Sequence, residues 1–289
     1  MKKIAILSFH SGRLNRGVES WAQQVQYHLK ESQVEIISGK DVYNPLVYLT
    51  ADVVISTGGR FEVLLCRLAT WACGRPMVVF GHSGPGADDK WNLLCSPTVF
   101  VAFSHSQEQW AKKHKWPWTR TMVIHHAVDT GRFTPADMPV KKNIVLAVAA
   151  RQPNKRIELV EAAVGNIPKC KLLVVGPGNS LEVPFAKMPE IYQRAKVFCL
   201  VPQPWEAFGL VFLEALACNL PVVTIDDLVR REIVGQAGIL VNPSNAGELE
   251  QAIKTALQKD WGRIPRLRAE KFAWTKISAD YYLLWASLS

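Results

Sequence analysis

The sequence holds no apolar run approaching the ~18 to 20 residues a helix needs to cross a bilayer, and no low-complexity tract or internal repeat. Integral-membrane, disordered and repeat-array classes are therefore set aside. The opening Met-Lys-Lys-Ile-Ala-Ile-Leu-Ser-Phe-His imitates a leader. Its apolar part is short and His10, Arg13 and Arg16 follow at once, so it reads as a first strand. Six cysteines (66, 73, 95, 170, 199, 218) show no C-x-x-C spacing and mostly lie in apolar surroundings. They read as reduced core residues of a cytoplasmic protein, neither metal ligands nor disulfides. There is no Asp-x-Asp triplet: Asp88-Asp89 and Asp226-Asp227 are adjacent pairs whose side chains need not converge. No metal site is expected on that ground. A P-loop is missing, and Gly176-Pro-Gly178 lacks the third glycine of a dinucleotide fingerprint.

What is present is a chain of 289 residues, long enough for two domains of ordinary size. With 48% hydrophobic and 20% charged residues, it has the balance of a soluble globular protein. The net charge of +9 favours anionic partners. No nucleic-acid motif accompanies that charge, so nucleotide phosphates or an acidic membrane face remain. The densest basic patch is Trp110-Ala-Lys-Lys-His-Lys-Trp116-Pro-Trp118-Thr-Arg120. Cations interleaved with tryptophan suit an anionic membrane surface; a solvated helix end with its tryptophans tucked inward is the competing reading.

Strand and helix patterns alternate along the chain. Buried strands are expected at 3–7, 34–37, 53–56, 77–80, 99–103 and 122–124, with helices at 18–30, 61–73 and 107–114 between them. A second series has strands at 144–149, 171–175, 197–200, 221–225 and 239–241, and helices at 157–164, 190–194, 210–218 and 246–257. Such alternation predicts α/β domains with parallel sheets covered on both faces. The proline-rich stretch Thr134-Pro-Ala-Asp-Met-Pro139 marks a boundary. Two α/β halves joined there predict a cleft in which a ligand binds.

The most informative stretch is Glu206-Ala-Phe-Gly-Leu-Val-Phe-Leu-Glu214, continuing through Asn219 to Pro221. Pro202 and Pro204 keep the preceding segment a loop. Gly209 permits close backbone approach. From Leu210 to Cys218 the residues form an almost wholly apolar helix, ended by Asn219 and Pro221. Its unpartnered first amides and positive dipole end suit an anion such as a diphosphate. Glu214 is the only charge on this helix, and a buried carboxylate demands partners. Sugar hydroxyls or a structural cation would both serve.

This stretch resembles the E-x7-E signature of the family-4 retaining glycosyltransferases, which have the GT-B fold of two Rossmann-like domains with parallel sheets facing a central cleft. The resemblance extends over nearly the whole chain. Arg16-Gly17-Val18-Glu19 sits where the family has a Gly-Gly-x-Glu turn. Val123 to Asp129, with Phe133 and Pro135, looks like the passage between domains. Phe272-Ala-Trp274 and Tyr281-Tyr-Leu-Leu-Trp285 resemble a closing helix that packs back on the first domain. The domains it implies are an acceptor-side domain over 1–136, a nucleotide-sugar donor domain over 137–270, and the crossing helix over 271–289.

The resemblance also implies site residues. Glu206 would contact the transferred sugar and Glu214 the donor ribose, with Phe208, Gly209 and Leu210 near the donor phosphates. Gly12 and Gly17 would form a loop closing over the diphosphate. Arg151 and Lys155, after a strand, would neutralise the leaving diphosphate; the spacing leaves Arg156 as an alternative to Lys155. His82, in the turn Phe80-Gly81-His82-Ser83-Gly84-Pro85-Gly86, would face the transferred sugar, although a lone histidine is more often structural. Gly176, Val201 and Gln203 would lie near the nucleotide. The expected activity is retaining, metal-independent transfer from a nucleotide-diphosphate sugar to a glycan, lipid-linked or envelope acceptor, by a cytoplasmic protein either free or peripheral at the inner membrane face. No cofactor beyond the donor co-substrate and no nucleic acid is expected. An epimerase or phosphorylase on the same fold, or a catalytically silent sugar-nucleotide-binding protein, are the alternatives.

Overall fold

A computed structural model describes residues 1–11, 17–138 and 142–288. Two compact units emerge, Met1–His125 with Thr275–Ser289, and His126–Trp274.

In the first unit the elements run β1 (Lys3–Leu7), α1 (Gly17–His28), β2 (Gln33–Ile37), α2 (Pro45–Thr50), β3 (Val53–Ser56), α3 (Arg60–Ala72), β4 (Met77–Phe80), α4 (Ala87–Leu94), β5 (Val99–Ala102), α5 (His105–Lys112) and β6 (Arg120–Val123). The six strands pair in parallel in the order β2-β1-β3-β4-β5-β6. Strands β3, β4 and β5 are buried at every position, the pattern of a sheet covered on both faces. One face, through Leu7, Val54, Met77 and Phe100, shares a core with Tyr48 of α2, Cys66 of α3, Leu93 of α4 and Ala111 of α5. The other face carries buried Phe80, Phe103 and Trp21 of α1.

The second unit contains β7 (Ile144–Val148), α6 (Ile157–Gly165), β8 (Lys171–Val175), α7 (Met188–Tyr192), β9 (Val197–Cys199), α8 (Leu210–Ala217), β10 (Val222–Ile225), α9 (Leu228–Val234), β11 (Gly238–Val241), α10 (Ala246–Gln258) and α11 (Ile264–Ala269). Its five strands are also parallel, in the order β11-β10-β9-β7-β8. The chain then enters α12 (Trp274–Ala286). This helix completes the first unit's core: Tyr281 stacks on Phe80 at 5.8 Å and accepts a 2.9 Å hydrogen bond from Trp21 Nε1. Lys2 Nζ donates to Trp285 O at 2.8 Å.

Both α/β halves and their parallel sheets agree with the expected GT-B architecture. The division by packing lies at 125/126 and 274/275, whereas the proline-rich sequence marks 136/137 and the closing motif 270/271. The reason is tertiary. Val128 bridges Ala273, and Arg266 gives its guanidinium to the carbonyls of Phe133 (2.7 Å), Thr130 (2.8 Å) and Ala217 (2.8 Å), so the segment before the prolines is tied to the end of the second unit. Four helices have no counterpart in the sequence pattern: α2, α4, α9 and α11. All have eight residues or fewer, so each offers little more than two turns of a 3.6-residue period. Two carry side-chain caps, with Asn44 accepting from Leu46 N and Asp227 from Arg230 N.

Candidate active site

The loops at the C-terminal ends of β7 and β9 bring together what the sequence separates by 51 positions. Pro153–Lys155 form a single 3-10 turn after β7. From it Lys155 Nζ reaches the carboxylate of Glu206, in an ion pair with both side chains about one-fifth exposed. Asn154 O accepts from Gln203 N at 2.8 Å, and Glu206 N donates to Gln203 O at 3.0 Å. The two loops are thus fastened by backbone as well as by charge. Gln152, Asn154, Gln203 and exposed Trp205 border a shallow depression beside them.

Arg156 takes a different part from Lys155. Its backbone is left-handed (φ 49°), and its guanidinium donates to Val201 O at 2.7 Å and Pro202 O at 2.5 Å. Two peptide carbonyls therefore occupy the Arg156 fork, while the Lys155 ammonium meets the Glu206 carboxylate. The geometry favours Lys155 as the cation at Glu206 and makes Arg156 a clamp on the loop.

Arg151 is not joined to this pair by its hydrogen bonds. Its Nε donates to Asn179 Oδ1 at 3.0 Å, and its terminal nitrogens meet the Glu161 carboxylate. Its backbone N–H donates to Pro177 O at 2.8 Å, which sets it against the glycine turn after β8. That turn needs glycine: Gly176 has φ 131° and a Cβ there would lie 2.6 Å from Ala149 O.

Gly209 precedes α8 with φ 87° and ψ 80°, a conformation that favours glycine, and no side chain caps the helix. Leu210 begins the helix. Phe208 is buried and meets the His126 ring edge-on at 5.1 Å. On the next turns Glu214 accepts a 2.6 Å hydrogen bond from Tyr192 Oη. Burial pushes the Glu214 carboxyl up to about 7, with Tyr192 and then Arg132 opposing that rise. Val201 is buried and lies behind the loop.

Arg230 is a functional candidate that the sequence did not single out. Its side chain is wholly buried, and both terminal nitrogens donate to the main-chain carbonyl of Glu206, each at 2.9 Å. Asp227 lies 3.5 Å away and caps α9 through Arg230 N. Burial holds the Arg230 pKa down, with Asp227 and Glu206 opposing. The neighbouring Arg231 has a 60% exposed side chain paired to Asp226. Only tertiary structure separates the roles of these two adjacent arginines.

In the first unit, His82 packs against the rings of Trp21 (4.7 Å) and Phe103 (4.9 Å). Burial lowers its pKa to about 3, against the opposing field of Glu19, so the imidazole is neutral. Its loop is held from below: Gln107 Nε2 donates to Gly81 O at 2.6 Å and to Asp89 Oδ2 at 2.8 Å. A Cβ on Gly81 would sit 2.3 Å from Gln107 Nε2. Gly17 opens α1 in open space, while Gly12 lies outside the described residues.

Residues 133–273 match the family model described as glycosyl transferases group 1. O-antigen chain mannosyltransferase B of Escherichia coli is 35% identical over 97 residues, which are 32% of this chain and 25% of that protein. D-inositol 3-phosphate glycosyltransferase of Mycolicibacterium smegmatis is 26% identical over 206 residues, 58% of this chain and 47% of that one. The chain thus spans from a quarter to about half of these relatives' length. Among solved structures, HepE of Anabaena in complex with UDP-glucose superposes with a TM-score of 0.82 at 15% identity, over all of both chains, a likeness of fold. Residues 133–273 thus match the glycosyl transferases group 1 model, within a chain of GT-B fold.

Proposed function

We propose that the protein is a retaining, metal-independent glycosyltransferase that moves a sugar from a nucleotide-diphosphate donor to a glycan, lipid-linked or envelope acceptor. The observation that carries this reading is the pairing of Lys155 with Glu206 beside the uncapped start of α8. A sugar diphosphate entering there would meet a cation, free helix amides and a carboxylate within one loop cluster. The group 1 match over the same segment supports it, as do relatives named for glycosyl transfer.

In this mechanism the diphosphate leaves toward Lys155 and the amides of Gly209 and Leu210. Arg151 exchanges Glu161 for a phosphate oxygen. Glu206, released from Lys155, orients the sugar, and Glu214 accepts from the ribose hydroxyls. Gly176, Val201 and Gln203 border the nucleotide, and Phe208 supports the phosphate loop. To the neutral His82, through its carbonyl or imidazole, we assign the transferred sugar, and to Gly12 and Gly17 the diphosphate. The acceptor hydroxyl attacks from the face the diphosphate leaves. Charge compensation by Lys155 and Arg151 takes the place a divalent ion would hold, so no metal is required. The acceptor side is the first unit, working at the cytoplasmic face of a membrane through Trp110–Arg120. No helix among the described residues is long and apolar enough to cross a membrane.

The test is thermal stabilisation by UDP, GDP, ADP, CMP and TDP and their sugar forms, with EDTA present. A shift with one nucleotide diphosphate supports the donor site and its metal independence together. No shift with any of them sinks the donor-site reading.

A further inference from the structure

Helix α3 is apolar on the face it turns away from the core. Val63, Cys66 and Thr70 are buried. Phe61, Leu64, Leu68 and Trp71 are exposed, at 64%, 37%, 53% and 74%. At 100° per residue these four fall within an arc of about 80° on the side opposite the buried face. A helix on a soluble surface carries charged and polar residues there, and a contiguous apolar patch of this kind marks an interaction surface.

The patch continues beyond α3. Helices α2, α3, α4 and α5 all contribute to one core cluster on the same face of the sheet, so their outer sides form one layer. Leu46 and Leu49 of α2 and Leu94 of α4 are exposed in it. Trp116 Nε1 donates to Leu94 O at 3.1 Å and Trp118 Nε1 to Ser96 Oγ at 2.6 Å. These two tryptophans stack at 5.3 Å, 10° from parallel, with Trp118 65% exposed.

Charge selects the occupant. Residues 60–120 hold eight Lys or Arg against four Asp or Glu, and one of the four, Asp89, is buried. Arg60, which is paired with Asp88, and Arg67 flank the α3 stripe on one side, while Lys90, Lys112 and Lys113 stand exposed on α4 and at the end of α5. Apolar side chains ringed by cations and indoles match the interface of an anionic bilayer, where rings sit at headgroup depth and cations meet lipid phosphate.

We propose that the outer layer of α2–α5, centred on the α3 stripe, is a docking face for an anionic lipid bilayer. The proposal deepens the membrane contact in the functional reading above: Trp110–Arg120 becomes the rim, and Phe61, Leu64, Leu68 and Trp71 become the inserting surface. It does not depend on the donor site.

The test is flotation of the full chain with vesicles of phosphatidylcholine alone and of phosphatidylcholine with an equal part of phosphatidylglycerol. The wild type is expected to float with the anionic vesicles and to lose that binding in high salt. The double variant Leu68→Glu/Trp71→Glu, at exposed positions, is expected to lose at least tenfold in bound fraction while keeping its melting temperature and its nucleotide-induced shift. Trp116→Ala/Trp118→Ala is expected to lose less. Absence of wild-type binding to anionic vesicles overturns the proposal, as does wild-type-like flotation of the double variant. A concentration-dependent dimer dissolved by Leu68→Glu/Trp71→Glu would also overturn it, by assigning the stripe to a second copy of the chain. The retained nucleotide shift separates failure of this face from failure of the donor site.

Discussion

Arg230 holds the peptide carbonyl of Glu206 with both ends of its guanidinium, from a position with no exposed surface. The Glu206 carboxylate faces Lys155 on the same residue. One side chain thus fixes the backbone of the residue whose other end meets the cation. We expect Arg230→Met to leave a buried carbonyl without its donors, at about 1 to 3 kcal/mol. Arg230→Lys, with one compact ammonium in place of a fork, should retain part of the fold but misplace Glu206. The measurement is turnover beside melting temperature: a loss of kcat in Arg230→Lys exceeding any loss in nucleotide affinity identifies positioning, and proportional loss of both refutes it.

Glu206→Ala should abolish sugar transfer while leaving nucleotide-diphosphate binding nearly intact, because the carboxylate is assigned to the sugar and the phosphates to cations and amides. Lys155→Met should do the reverse first, weakening the diphosphate by tenfold or more. Calorimetric titration with the nucleotide distinguishes them. Equal loss of binding in both variants would mean that the ion pair only braces the loops.

Glu214 sets a pH dependence. Its folded pKa of about 7 stands above the ordinary carboxylate value because of burial. Between about pH 4.5 and 7 the folded chain therefore binds more proton than the unfolded one, and the stability this group contributes is lost as pH rises through 7. A Glu214→Gln variant should melt higher than wild type at pH 8 and show no such advantage at pH 5. Ribose hydroxyls donate best to the ionised form, so wild-type nucleotide affinity should fall as pH drops below 7 and that fall should be absent in Glu214→Gln. A parallel pH profile in both proteins would remove Glu214 from the site.

Arg156 combines a left-handed backbone with two carbonyl contacts. Removing the side chain should loosen Val201 and Pro202 in either of two variants. Arg156→Ala keeps the backbone cost that Arg156→Gly relieves, roughly 1 kcal/mol. The glycine variant should accordingly melt higher than the alanine one, against the usual order. Melting curves of the pair decide it.

The parallel sheets were legible where a strand is a short apolar run buried at every position, as in Val53–Ser56 and Met77–Phe80. The turn–helix around Glu206 and Glu214 was legible because prolines and a glycine punctuate it. Arg230 was not: it stands beside Arg231, alike in sequence, and only a contact across 24 residues makes one a wholly buried clamp and the other a surface ion pair. The choice between Lys155 and Arg156 was equally closed to spacing arguments, since a left-handed residue turns adjacent side chains in different directions. The short helix α9, whose Asp227 cap holds the Arg230 amide, offers only seven residues of pattern.

Helix α12 has a consequence for how the chain is made. Trp21 and Phe80 receive Tyr281 as a buried neighbour, yet 260 positions separate Trp21 from Tyr281 in the chain. Residues 126–274 form a continuous unit. During synthesis the second unit can close its core as soon as it emerges, whereas the first must hold an aromatic surface uncovered until α12 has been made. The order of folding is thereby reversed relative to the order of synthesis, and the earlier half of the chain is the one exposed to chaperones for longer.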